Sequence, residues 1–111
     1  WLGMPLGKVA CHISEHFHEP LDNVALARLA GLSERTFERQ FRAHYGLTPQ
    51  QYVRRLRVRI ACHALVHGDL PIGQIAMEHG FADQSHFTRE FRELLGATPG
   101  DYRKNFRRHD R

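Results

Sequence analysis

Residues 37–52 read FERQFRAHYGLTPQQY, and fifty positions later residues 87–102 read FTREFRELLGATPGDY. Extending the alignment to 33–57 against 83–107 gives nine identities in twenty-five positions, among them Phe37/Phe87, Arg39/Arg89, Phe41/Phe91, Arg42/Arg92 and Tyr52/Tyr102, too many for coincidence. In each copy two phenylalanines stand four residues apart, which places them on one face of an α-helix. Gly46 and Gly96 fall where a helix ends in a left-handed residue. The Thr-Pro that follows restarts the helix: Thr48 or Thr98 caps its first turn, and Pro49 or Pro99 takes the first helical position, where a missing N–H is harmless. Gln51 is placed to complete a capping box, with Asp101 at the same position in the second copy, and Leu47 and Tyr52 are spaced as a hydrophobic staple. The repeated text encodes helix, stop and capped restart. Two copies are too few for a solenoid, which takes about three or more units to bury a continuous core, so a duplicated supersecondary unit is expected.

What precedes each copy supplies the other half of that unit. LARLAGLSERTF (26–37) and IAMEHGFADQSHF (75–87) each contain Ala-x-x-x-Gly, Ala27 with Gly31 and Ala76 with Gly80, ahead of the first core Phe. A small Ala lets two helices cross closely, Gly carries the backbone through the bend, and Phe anchors the second helix. That is the physical pattern of a helix-turn-helix.

Apolar residues recur at three- and four-residue steps along the rest of the chain, without alternating β-branched runs, so the fold class expected is all-α. Helices are expected over 6–18, 22–30, 33–44, 49–66, 72–79, 84–95 and 99–107. At 111 residues and 41% apolar, the chain suffices for one ordinary domain or two very small ones. The boundaries drawn are a first helix-turn-helix subdomain over 1–48, a linker helix over 49–67 and a second subdomain over 68–111. The linker helix would span about 27 Å, comparable with the roughly 34 Å between major-groove openings on one face of a duplex. Its Val53, Leu56, Ile60, Ala64 and Leu65 are placed to pack on both subdomains.

Charge names the kind of partner. Sixteen Lys and Arg against twelve Asp and Glu give +4, and Lys8 and Lys104 are the only lysines. The forked guanidinium of Arg binds phosphate and guanine edges through two hydrogen bonds at once. Residues 33–59 hold seven Arg against Glu34 and Glu38, which points to an anionic partner. With Phe37 and Phe41 buried, a rotation of about 100° per residue turns Arg35, Glu38, Arg39 and Arg42 outward. The same arithmetic exposes Ser85, Thr88, Arg89 and Arg92, with Gln84 in the leading turn. Because the first turns of such a helix enter the major groove most deeply, base reading is assigned to Arg35, Glu38, Arg39, Gln84, Ser85, Thr88 and Arg89. Phosphate contact is assigned to Thr36, Arg42, Arg55, His86 and Arg92. Glu38 has two readings, accepting from a cytosine amino group or holding Arg35 or Arg42 in place, and His86 has a structural reading beside the phosphate one.

Taken together, Leu26-Ala27, Gly31, Ser33, Phe37, Phe41, Gly46, Tyr52, Arg57 and Ala61, followed by Ile75-Ala76, Gly80-Phe81, Ser85, Phe87, Phe91-Arg92, Gly96, Thr98-Pro99 and Tyr102-Arg103, resemble the DNA-binding domain of the AraC/XylS family of bacterial transcription regulators. The likeness runs over about 19–107. It implies seven helices, two helix-turn-helix subdomains joined by a long helix, and recognition of asymmetric double-stranded promoter sites, usually by an activator that touches RNA polymerase. It further implies an effector-sensing or dimerising domain N-terminal to this one, and a chain that starts at Trp1 fits a piece of a longer protein.

Other classes have weaker footholds. HISEH (12–16) matches the H-x-x-E-H arrangement of some zinc peptidases, but a zinc site takes a further protein ligand and a cleft; no metal, cofactor or catalytic residue is expected. Cys11 and Cys62 lack C-x-x-C spacing and are read as small buried apolar residues. With no secretory leader and no twenty-residue apolar span, a cytoplasmic protein without a membrane partner is expected. The alternative function is a basic helical module that binds RNA or an acidic protein. It lacks the aromatic stacking platforms that single strands require, because the four phenylalanines are needed inside.

Overall fold

The computed structural model describes the backbone of residues 3–109 and the side chains of residues 5–107. Among the described residues there are seven α-helices and no strand: α1 (Gly3–His16), α2 (Asn23–Ala30), α3 (Glu34–Tyr45), α4 (Pro49–His67), α5 (Ile72–Glu78), α6 (Gln84–Leu95) and α7 (Pro99–His109). The all-α expectation holds. The chain forms two compact units, Trp1–Leu56 and Arg57–Arg111, whose boundary falls inside α4.

In the first unit the apolar stripe of α1 (Leu6, Val9 and Ile13) is buried with Leu21, Leu26, Ala27, Phe37, Phe41, Val53 and Leu56. In the second, Val58, Ala61 and Leu65 of α4 pack with Ile75, Ala76, Phe81, Phe87 and Phe91. Of the α4 residues expected in the core, Val53, Leu56 and Leu65 are buried, whereas Ile60 and Ala64 are half-buried. Val58 and Ala61 take the core places, because α4 carries two separate stripes, one for each unit, and a single three-four pattern drawn through both misses the second. Cys11 corrects an expectation outright: it is exposed and Cys62 half-buried. Position 11 lies two residues from both Val9 and Ile13, roughly 200° around the helix from each, so it turns to solvent. Burial raises the Cys62 thiol above its usual range, outweighing the lowering from its hydrogen bond with Tyr102.

The turn chemistry follows the sequence closely. Gly31 closes α2 at φ +70° and Gly46 closes α3 at +75°, with Gly96 at +76° ending α6. Gln51 and Thr48 form a reciprocal capping box, the Thr48 N–H donating to Gln51 Oε1 at 3.0 Å and the Gln51 N–H to Thr48 Oγ1 at 3.2 Å. In the second copy the Asp101 N–H donates to Thr98 Oγ1 at 3.1 Å.

The second turn departs in one respect. Its α5 ends at Glu78, with His79 as the capping residue and Gly80 at φ +89°. There is one more residue between glycine and core Phe in this copy than in the first, and the added length is taken up in the bend. The buried His79 ring donates from Nδ1 to the Ile75 carbonyl at 2.7 Å. A β-branched side chain at Gly80 cannot occupy that left-handed backbone without strain, so Gly80→Val is expected to lower the unfolding free energy by about 1–3 kcal/mol. A thermal melt that matches the wild type would contradict this account of the bend.

Candidate nucleic-acid interface

Helices α3 and α6 are built alike. Ser33 caps α3 by accepting from the Thr36 N–H at 3.2 Å, and Asp83 caps α6 by accepting from the His86 N–H at 2.7 Å. Phe37 and Phe41 are fully buried on one helix, Phe87 and Phe91 on the other. Phe41 meets the edge of Tyr52 at 5.4 Å between ring centroids, and Phe91 meets Tyr102 in the same way at 5.3 Å. Two equivalent aromatic locks therefore fix which way each helix faces.

The outward faces carry the residues that the helical arithmetic assigned to them. Arg35, Glu38, Arg39 and Arg42 are exposed on α3, and Gln84, Ser85, Arg89 and Arg92 on α6, with Thr36, His86 and Thr88 half-buried. Gln84, Ser85, Thr88, Arg89, Arg92 and Glu93 line a shallow depression along α6. The Gln84 carboxamide also leans over α5, since a Cβ at Gly73 would stand 3.0 Å from its Oε1.

The arginines divide into two sets that the sequence does not separate. Arg103 donates from Nε to the Leu65 carbonyl at 3.0 Å, and Arg107 from Nε to the Val66 carbonyl at 3.5 Å while pairing with Asp69 at 2.9 Å. These two close the last turn of α4, where four carbonyls lack helical partners. Burial lowers the guanidinium of Arg103 below its ordinary range, and likewise that of half-buried Arg57. By contrast, Arg35, Arg39, Arg42, Arg55, Arg89 and Arg92 have no carboxylate or carbonyl partner among the described residues. Their donors remain available to an external acceptor.

Glu38 and His86 are more engaged than the sequence suggested. Glu38 pairs with neither Arg35 nor Arg42 among the described residues; its Oε1 accepts from Asn23 Nδ2. His86 Nδ1 accepts from the Ala82 N–H at 3.3 Å while Nε2 faces Glu90 at 3.3 Å, and the ring meets the edge of Phe81. Those bonds tie the first turn of α6 to the bend before it. Asn23, which holds Glu38 from outside α3, and Gln50, which bonds Asn23 in turn, carry no signal in the sequence.

Comparison with known proteins places this geometry. A family model described as a helix-turn-helix domain matches residues 26–105. The DNA-binding domain of AdpA, a global transcriptional factor whose structure was solved in complex with a target DNA, shares 35% identity and a TM-score of 0.91, over 95% of each chain. The chain belongs to the AraC/XylS family. An AraC-type DNA-binding domain protein from Chromobacterium violaceum superposes with a TM-score of 0.85 at 28% identity, over 92% of this chain and 91% of that one. The HTH-type transcriptional activator RhaS of Escherichia fergusonii is 40% identical over 99 residues, covering 89% of this chain. The match spans 36% of the RhaS chain, so this AraC/XylS domain corresponds to about a third of that relative.

The family is one of transcription regulators and not of enzymes, which disposes of the peptidase reading of HISEH. In the AraC/XylS domain those histidines are helix surface: the rings of His12 and His16 stack at 4.4 Å, and His16 Nδ1 bonds Glu19. No helix among the described residues is long and apolar enough to cross a membrane.

Proposed function

We propose that this AraC/XylS domain binds double-stranded promoter DNA sequence-specifically, with α3 and α6 as recognition helices in successive major-groove segments. The observation that carries the reading is the twin arrangement of Arg39/Arg89 and Arg42/Arg92. Each lies opposite a buried Phe pair, exposed and without an acceptor among the described residues. Leaving such donors free serves a partner that supplies acceptors in register, namely guanine edges and phosphates. The AdpA relative, solved on its target DNA, supports the same assignment.

Within this reading Arg35, Glu38 and Arg39 of α3, and Gln84, Ser85, Thr88 and Arg89 of α6, read bases. Thr36, Arg42, Arg55 and Arg92 anchor phosphates. His86 acts through the start of α6, by holding the bend, and reaches phosphate only by giving up Glu90. The two halves, residues 1–48 and 68–111, each present one recognition helix, with helix 49–67 joining them. Activation of transcription in the cytoplasm, contact with RNA polymerase, and an N-terminal domain for effector binding or dimerisation belong to the same proposal; the RhaS relatives are named as activators. Against single-stranded RNA stands the full burial of Phe37, Phe41, Phe87 and Phe91, which removes them as a stacking surface for bases.

A salt titration on a selected duplex tests the electrostatic half. Each neutralised phosphate contributes about −0.9 to the slope of log affinity against log salt, so Arg42, Arg55 and Arg92 together predict a slope of about −3 or steeper. A slope near zero, or tighter binding to single-stranded RNA than to duplex DNA, would overturn the proposal.

A further inference from the structure

The Asn23–Glu38 contact is one link in a longer relay, all of it inside the first unit. Gln50 Nε2 donates to the Leu21 carbonyl at 2.7 Å and to Asn23 Oδ1 at 2.9 Å, and Asn23 Nδ2 donates to Glu38 Oε1. The polarity of the chain is fixed from one end. Leu21 offers a backbone carbonyl, which only accepts, so Gln50 must present its amino group there; a flipped Gln50 would set oxygen against oxygen at both contacts. Asn23 must then turn its oxygen to Gln50 and its amino group to Glu38, and a flipped Asn23 would lose both bonds. The relay ends on a carboxylate, an obligate acceptor at neutral pH, with Glu38 exposed on the outward side of α3.

The second unit provides the comparison. Counting back from the aligned Ala27/Ala76 and Gly31/Gly80, Asn23 corresponds to Ile72, while the offset of fifty sets Glu38 against Thr88 and Gln50 against Gly100. A Cβ at Gly100 would stand 3.5 Å from Ile72 Cδ1, so the same two places adjoin in both units. In the second they are apolar. All three members of the relay are absent there together.

We infer that Asn23 and Gln50 are positioning residues that lock Glu38 through one carboxylate oxygen, leaving the other as a fixed acceptor that selects an exocyclic amino group, that of cytosine, in the major groove. This rests on the proposed DNA reading and adds to it the residues that orient the acceptor and the base it selects. A flexible Glu side chain pays rotamer entropy to dock; one held at Oε1 has already paid it, which sharpens discrimination between bases. Thr88, without such support, reads its position less stringently.

The test is binding-site selection on random duplex with the 111-residue chain, followed by affinity measurements on single-base variants of the selected site. Wild type is expected to prefer cytosine at one position by about five-fold or more. Glu38→Gln should shift that position towards adenine, the base a carboxamide pairs with. Asn23→Ala, and independently Gln50→Ala, should cut the cytosine preference several-fold while leaving the guanine positions and the salt slope unchanged, a pattern that general loosening of the fold does not produce. A melt for each variant identifies unfolding, and the two alanine variants check each other. If Glu38→Gln abolishes the preference and both alanine variants keep it intact, the positioning role is wrong. If the guanine preferences stand and Glu38→Gln changes no position, Glu38 is not a reader and the inference fails alone. Absence of any base preference overturns the DNA reading itself.

Discussion

Phe37→Ala and Phe87→Ala are each expected to lower the unfolding free energy by about 3–5 kcal/mol, enough to move the melting midpoint down by at least about 12 °C. Both rings are fully buried, and each also packs on the second phenylalanine of its helix, at 5.6 Å between centroids for Phe37–Phe41 and 5.5 Å for Phe87–Phe91. Truncation loses the transfer energy of the ring and leaves a cavity that a close-packed helical core refills only in part. The consequence for function is orientation, since these rings set which face of α3 and α6 turns outward. Differential scanning calorimetry measures this: a shift under about 2 °C for either variant would show that the aromatic lock does not hold the helix.

Arg39→Ala and Arg89→Ala are each expected to weaken binding to the selected site by about five- to 150-fold, the range of one good two-pronged contact to guanine. Affinity for random duplex should fall far less, since a base contact contributes nothing there beyond its charge. Fluorescence anisotropy on matched specific and random duplexes measures both. Equal loss on the two would assign these arginines to phosphate. Their intrinsic geometry favours base contact: both stand at exposed positions in the second turn of their helices, with the fork free of any partner among the described residues. In the proposed reading Arg42 and Arg92, one turn further along, contact the DNA backbone instead.

The fold was readable because its signals are local and written twice. Helix stops at Gly46 and Gly96, restarts at Pro49 and Pro99 and the Phe pairs all follow from backbone chemistry within a few residues of one another. Reading weakened wherever the outcome depends on tertiary contact. α5 ends at Glu78, one residue before the expected 79, because His79 leaves the helix as its capping residue with its ring buried. Cys11 was misplaced by treating a small apolar residue as core without following the Leu6, Val9, Ile13 stripe around α1. In α4 the sequence shows four arginines in six residues, Arg54 to Arg59, and nothing local separates half-buried Arg57 from exposed Arg55.

The candidate interface was legible as a face and less so as a mechanism. Rotation about the helix axis placed Arg35, Glu38, Arg39 and Arg42 on one side, and that required no tertiary information. The partner of Glu38 did. Asn23 lies fifteen residues before it and Gln50 twelve after, so their contact leaves no period for a sequence to display; only the replacement of all three members in the second unit hints at it. Arg103 and Arg107 were likewise hidden, since capping the end of α4 from α7 spans nearly forty residues.

Guanine-methylation interference on the selected site shows whether α3 and α6 act as two readers on one duplex. Two clusters of interfering guanine N7 positions are expected about one helical turn apart, one lost in Arg39→Ala and the other in Arg89→Ala. A single cluster, or loss of the same positions in both variants, would contradict this.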